Sequence, residues 1–498
     1  TTMPPPTPPF KSFETVNFYA GSSLNRLSWL RTDSGFLNRA LASPRTRFLV
    51  LQNLNPLAHK GPQAGEKDGL LATLSWDEVK EPVMEVARQS GHDGGAKLFG
   101  PEANGVRLPE EKKEENAGLF EKSTAGLGPS GMVLVFLGID ETGTDTPSLP
   151  GQLAQESSNA AQSQDEGVPP GTPYFALSLT YRPKPIAGSQ SEVEQHPFSR
   201  LESSLLSSGS YEFVDTRTLG RAGDWPMSDA ALVAQARALV DWNTRQVYCP
   251  CCSRQQYMLW SGYKRACAST LTRQLKVEPA PFTESLRLSA PSGQDDQLGD
   301  CPSTTSLSNF SYPRTDPVVI MGILSSDGEH LLLGRQKKWP QGFYSCLAGF
   351  IEPGESLEEA VRREVLEESG VKVDRVVYHS SQSWPFPNQL MEGCFGIASP
   401  SAPLDPSTNL PKVNLDLDNE LESSQWFTRK EILAVLDGSA RSSLSRQEIE
   451  KIDKATQKAD EKARASRWSM SLTRLIPPAT AIAHVLIAAW ARKEAVLP

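Results

Sequence analysis

The sequence predicts a multidomain α+β protein, and three observations carry that reading. The chain has 498 residues, roughly three times an ordinary domain and enough to bury more than one core. Its apolar runs RFLVLQNLNPL, VLVFLG (133–138), YFALSLTY and YEFVDTR are short and strand-like, whereas ALVAQARALVDWNTR (231–245) is helix-periodic. From Pro317 the texture changes to VVIMGILSSDGEHLLLGRQ, two apolar strands around a Ser-Asp-Gly turn, which reads as a hairpin opening a second α/β domain. The expected layout is an N-terminal α+β domain over 1–240, a zinc ribbon over 241–315 and a C-terminal α/β domain over 316–498.

In chain order, TTMPPPTPPF is a proline-rich tail without the charged and apolar regions of a secretory signal, so no export is expected. The stretches 140–171 and 285–300 are rich in polar residues, Gly and Pro, and are expected to be insertions that supply no core. No internal repeat is evident. The longest apolar stretch, ATAIAHVLIAAWA, is too short to cross a bilayer and carries His484, so it reads as a buried helix and no membrane partner is expected. A net charge of −9 with no lysine/arginine block excludes the footprint of a general nucleic-acid binder and points to small or local ligands.

Seven cysteines without a signal argue for reduced thiols. CPCC at 249–252 offers Cys249 and Cys252 as a C-x2-C knuckle, with Cys251 the spare; Cys267 follows after fourteen residues, and Cys301 is the expected fourth ligand after a further 33. Four thiolates leave no open position, which suits a structural Zn²⁺ and not a catalytic one. Cys346 and Cys394 lie in apolar, strand-like surroundings and read as small buried thiols.

In the C-terminal domain, Ser356 and Glu359 form a capping box and Gly370 offers a left-handed stop, so a helix is predicted over 357–369. Leu357, Ala360, Val361 and Val365 define its apolar sector, and Glu364 and Glu368 fall inside that sector with Glu367 at its edge. Solvated charges belong on the opposite face. Several like charges on a buried face need a compensating cation, and oxygen ligands at i, i+3, i+4 suit a hard one, Mg²⁺ or Mn²⁺. The loop ahead, GFIEPGE at 349–355, brings backbone close to the helix N-terminus, a setting for phosphate oxygens.

Gly349, Glu355 and the run from Arg363 to Val371 match the Nudix box at every defined position, so the C-terminal domain resembles the Nudix hydrolases. That resemblance implies an α/β/α sandwich and hydrolysis of a nucleoside diphosphate linked to another group. It implies that Glu364 and Glu368 hold the metal, that Glu367 is a further ligand or base, that Arg363 and Glu355 form a structural ion pair, and that the Ala348 carbonyl completes the coordination. Eleven residues past the box, SQSWPFPNQLM (381–391) makes an aromatic shelf between Pro385 and Pro387. It resembles the S-Q-P-W-P-F-P-x-S array of NADH pyrophosphatases, with Ser383 and Gln389 in place of proline and serine; GYKRAC, YPRTDPVVI and SSLNRLSWLR agree.

The subfamily resemblance implies that Tyr312 and Phe350 flank a base and that Gln382, Ser383, Trp384, Pro385, Phe386 and Pro387 line the pocket. Glu420 matches a distal metal-binding glutamate, and Ala483 a substrate-contacting alanine. The expected reaction is metal-dependent hydrolysis of NAD⁺ or NADH to AMP and NMN or NMNH, by a homodimer. The alternatives are the NAD cap of RNA, another nucleoside diphosphate derivative, or a zinc-ribbon interaction module with an inactive Nudix domain. A cytoplasmic location is expected; some relatives carry a peroxisomal C-terminal tripeptide, but VLP does not match S-K-L.

Overall fold

The computed structural model describes residues 15–60, 71–92, 94–129, 131–144, 167–180, 195–217, 225–271, 275–278, 301–304, 311–339, 342–417, 420–438 and 476–497. The proline-rich tail, most of the 140–171 insertion and all of 285–300 lie outside the described residues. The chain forms two compact units. One comprises Ser22–Asp215 and Leu232–Arg314; the other comprises Thr1–Gly21, Thr216–Ala231 and Thr315–Pro498.

The first unit is built on a sheet of β1 (Leu24–Asn25), β2 (Arg47–Gln52), β3 (Asn55–His59), β4 (Thr73–Leu74), β5 (Leu134–Asp140), β6 (Thr172–Ser178) and β7 (Tyr211–Phe213), in the order β1-β5-β6-β2-β3-β7 with β4 also on β2. β2 reads RFLVLQ, an unbroken apolar run between polar ends, because its central position buries both faces. Helices α1 (Ser34–Ala42) and α2 (Trp76–Gln89) contribute Phe36, Trp76, Val79 and Val83 to a core shared with Phe48, Phe136 and Phe175. Two short strands, β8 (Gln256–Leu259) and β9 (Lys264–Cys267), pair as a hairpin.

The second unit holds β10 (Asp316–Leu324), β11 (His330–Gln336), β12 (Leu347–Phe350), β13 (Val373–Trp384), β14 (Gln389–Ala398) and β15 (Leu421–Thr428), in the order β13-β14-β10-β11-β15 with β12 also on β10. Three helices of this unit pack on the sheet, α3 (Leu357–Ser369), α4 (Arg429–Leu436) and α5 (Ile482–Ala491). Side chains on β10 alternate between two cores. Val319, Met321 and Ile323 meet Ala360, Val361 and Val365 of α3, whereas Ile320 and Leu324 join Ile432 of α4 and Ile482, Leu486 and Trp490 of α5. The expected α/β/α sandwich is therefore present. Among the described residues no helix is long and apolar enough to cross a membrane.

The expectation of no internal repeat is corrected. In each unit a central strand (β2, β10) pairs antiparallel with the next two strands and parallel with a later one (β6, β14); that later strand pairs antiparallel with its predecessor, and the hairpin partner pairs antiparallel with a last strand. The same connectivity occurs twice. It is invisible in sequence because strand pairing depends on apolar alternation, which many residue choices satisfy.

Candidate active site and cysteine centre

The Sγ atoms of Cys249, Cys252, Cys267 and Cys301 all lie within 4.8 Å of one another. Cys249 and Cys301 are 3.7 Å apart, and Cys252 and Cys267 3.4 Å. Zn–S bonds of about 2.3 Å in a tetrahedron set sulfur separations of about 3.8 Å, so the four thiols fit such an ion. Cys251 is exposed and stands outside the group, so Cys301 is the fourth member. Burial pushes the Cys249 thiol up, but the backbone groups of Cys251 and Cys252 and the Ser303 and Cys301 side chains outweigh it and bring it down to about 7. Two hydroxyls that sequence reasoning missed support the sulfurs: Ser303 Oγ lies 3.0 Å from Cys301 Sγ, and Ser269 Oγ donates to Cys267 Sγ at 3.4 Å. Their common spacing, Cys-x-Ser at 267–269 and 301–303, was the available signal.

Helix α3 has the predicted ends: Ser356 and Glu359 form the capping box, and Gly370 takes φ 72°. Its phase sorts the glutamates. Glu368 is 3% exposed, Glu364 is half-buried and Glu367 is exposed. Gly349 on β12 lies against the Glu364 carboxylate so closely that an added Cβ would stand 1.9 Å from Glu364 Cδ. Arg363 ties the site together. It pairs with both Glu355 oxygens at 2.6 and 2.8 Å, with Glu364 Oε1 at 2.9 Å and Glu367 Oε2 at 3.2 Å, and donates to the Phe350 carbonyl at 2.8 Å. These contacts hold the Glu355 carboxyl down at about 2.

Burial pushes the Glu364 carboxyl up, Arg363 pulls it down, and the charges of Glu367 and Glu420 raise it again. Glu420, just before β15, therefore shares the electrostatic field of α3. Ala348 precedes Gly349 on β12, opposite Ile320 of β10. The carboxylates are not drawn together as the sulfurs are: Glu364 leans on Arg363, and Glu420 Oε1 accepts from Gln336 Nε2 at 2.8 Å. A hard cation is the partner that such oxygen donors fit.

The shelf is partly strand. β13 runs through Trp384, and residues 385–388 turn into β14, with Trp384 opposite Gln389. The Trp384 and Phe386 rings meet edge-to-face at 5.1 Å. Pro385 and Phe386 are buried; Ser383, Trp384 and Pro387 are half-buried. Gln382 is 1% exposed, and its amide is given to backbone: Nε2 donates to the Phe18 and Thr480 carbonyls at 3.0 and 2.8 Å, and Oε1 accepts from Ile482 N at 2.9 Å. It supports the shelf from behind. The Arg217 guanidinium lies 4.7 Å over the Phe386 ring.

A model of the Nudix domain matches residues 313–447, and a model of the NADH pyrophosphatase-like rudimentary Nudix domain matches 45–242. The NAD-capped RNA hydrolase of Schizosaccharomyces pombe is 35% identical over 425 residues, covering 85% of this chain and 86% of that protein. The chain belongs to the Nudix hydrolases, in their NADH pyrophosphatase subfamily. The human NAD-capped RNA hydrolase NUDT12 is 28% identical over 485 residues, 96% of this Nudix hydrolase and 74% of that protein. The mouse mitochondrial NAD(P)H pyrophosphatase NUDT13 is 38% identical over 191 residues, 38% of this chain and 44% of that protein.

The family gives the duplicated topology a physical meaning. Helix α2 follows β4 as α3 follows β12, and both begin at a capping box, Ser75 with Glu78 and Ser356 with Glu359. Counted from those caps, Glu364, Glu367 and Glu368 correspond to Val83, Val86 and Ala87, which are 0%, 2% and 0% exposed. The five residues 351–355 between β12 and the later cap also have no counterpart, since Ser75 follows β4 directly. Apolar side chains have taken the carboxylate positions, so the first Nudix fold packs a core where the second gathers charge. Of the remaining expected residues, Phe350 is 53% exposed at the end of β12, and Tyr312 is 48% exposed in the first unit, 5.9 Å from the Trp260 ring. Ala483 is 3% exposed in the first turn of α5, and its carbonyl accepts from Cys346 Sγ at 3.8 Å.

Proposed function

We propose that this Nudix hydrolase cleaves the pyrophosphate of NAD⁺ or NADH to AMP and NMN or NMNH, whether the dinucleotide is free or caps an RNA. The observation that carries this reading is the relative in S. pombe, alike over 85% of the chain and named for NAD-capped RNA. The NAD(P)H pyrophosphatase name of the mouse relative describes the same kind of bond. The edge-to-face pair Trp384 and Phe386 supports it chemically, because a dinucleotide presents flat heterocycles on either side of its diphosphate.

Glu364, Glu368, Glu420 and the Ala348 carbonyl would hold Mg²⁺ or Mn²⁺, and Cys249, Cys252, Cys267 and Cys301 would hold Zn²⁺. The hard cation, when bound, would supply Lewis-acid activation of water and neutralise charge on the phosphoryl oxygens. Glu367 or Glu368 accepts the proton of the attacking water as the new O–P bond forms and the anhydride P–O bond breaks. Arg363 keeps Glu364 in place. Phe350 flanks a base, Ser383, Trp384, Pro385, Phe386 and Pro387 line the pocket, and Ala483 contacts substrate. The chain acts as a homodimer. Chromatography of the products from NADH, ADP-ribose and NAD-capped RNA with Mg²⁺ or Mn²⁺ tests the reading. AMP and NMNH from NADH sustain it; cleavage of ADP-ribose without any of NADH or capped RNA overturns it.

A further inference from the structure

Residues 17–19 lie some 330 positions before the Nudix box, yet they pack on its aromatic shelf within the second unit. Asn17 is 3% exposed, and its Nδ2 donates to Ser380 Oγ at 3.0 Å and to the Ser381 carbonyl at 2.8 Å. The Phe18 carbonyl accepts from Gln382, so three successive residues of β13 are held by this one strap. β13 is the edge strand of its sheet, and its register slips between Tyr378 and Ser380, where the strap takes hold. An edge strand with a bulge has backbone freedom that a central strand lacks.

Tyr19 goes further. It is 5% exposed, and its ring stands edge-on to Trp384 at 6.4 Å and to Phe386 at 6.1 Å, while Phe18 packs on it at 4.6 Å. Its hydroxyl donates to the Thr216 carbonyl at 3.1 Å. Its φ of 68° lies in the left-handed region, which a bulky residue adopts only where packing over-determines it.

We infer that Asn17 and Tyr19 are positioning residues for dinucleotide recognition: they clamp β13 and the rings of Trp384 and Phe386 in the orientation that receives a heterocycle. The inference rests on the shelf being the substrate wall of the proposed function. The strap acts on binding of the base and leaves the glutamate helix to the chemistry. The selective wall of this site is thus set partly by a segment outside the C-terminal Nudix domain.

Full-length Tyr19→Leu, Tyr19→Phe and Asn17→Ala test it by steady-state kinetics on NADH. Tyr19→Leu and Asn17→Ala should each raise KM about ten-fold with kcat within about two-fold of wild type, while Tyr19→Phe, which keeps the ring, should stay near the wild-type KM. A purely structural role lowers the active fraction, and so kcat, with KM unmoved. An unchanged KM in soluble, folded Asn17→Ala overturns the inference, as does a fall in kcat alone; should Tyr19→Leu fail to fold, Asn17→Ala and Tyr19→Phe still decide it. A wild type that cleaves ADP-ribose but neither NADH nor capped RNA marks failure of the functional reading instead.

Discussion

Gly349→Ala separates the chemistry of the site from its stability. The added Cβ would stand 1.9 Å from Glu364 Cδ and 2.1 and 2.2 Å from its oxygens, where ordinary contact begins at 3.4 Å. The carboxylate must therefore retreat by about 1.5 Å. It is tethered by Arg363 Nη1, and that guanidinium is itself fixed by Glu355 and the Phe350 carbonyl, so retreat breaks the arrangement that presents Glu364 to the cation. A misplacement of about 1 Å at a reacting centre costs on the order of a hundred-fold in rate, which sets the expected loss in kcat. The backbone needs no glycine here for its own sake, since Gly349 has no positive φ, and the displaced group is the end of a flexible chain. The melting temperature should hardly move. Initial rates of AMP release at saturating Mg²⁺ or Mn²⁺, read beside a thermal melt, make the comparison. A kcat within about three-fold of wild type refutes the reasoning, and so does a loss that only tracks unfolding.

Glu368→Gln keeps the shape of a buried side chain and removes its charge, so NADH turnover should fall on the order of a thousand-fold, with zinc content and melting temperature retained; near-normal turnover would remove Glu368 from the chemistry. Cys267→Ser should strip stoichiometric zinc from the chain and lower the melting temperature of the first unit, because the four thiols converge only in the folded chain and metal binding therefore adds to folding free energy; elemental analysis showing full zinc sinks the assignment. Glu355 is held down at about 2 by Arg363, while an ordinary glutamate sits at 4.5. The unfolded chain thus takes up this proton first as the solution is acidified. The contribution is complete above pH 4.5 and is lost as pH falls toward 2. The gap in melting temperature between wild type and Glu355→Gln should therefore narrow from about pH 5 to about pH 3. A gap independent of pH would contradict it.

Helix α3 was legible almost to the residue because its signals are local: a capping box, a left-handed glycine, and carboxylates in an apolar phase. The cysteine group was legible by spacing, even across the long interval before Cys301, since thiolates of one metal site advertise themselves by type. Gln382 was not read as it stands. The subfamily resemblance implied a place in the pocket lining, and its amide bonds to the backbone of Phe18, Thr480 and Ile482, three partners that no local pattern connects. Tyr19 likewise stands three residues before the motif SSLNRLSWLR, with nothing nearby to say that it would meet Trp384 and Phe386.

By itself the sequence determined the chemistry: which side chains are hard oxygen donors, which are thiolates, and on which helical face they stand. Tertiary structure decided three further matters. The first unit repeats the topology of the second with Val83, Val86 and Ala87 at the carboxylate positions, which only strand pairing reveals. Gly349 is required by the approach of Glu364, not by its own backbone. The shelf takes its support from residues 17–19, 216–217 and 480–482. The physical reason is range. Propensity, capping and ligand type act within a few residues, whereas close packing and edge-strand protection join atoms that the chain separates by hundreds.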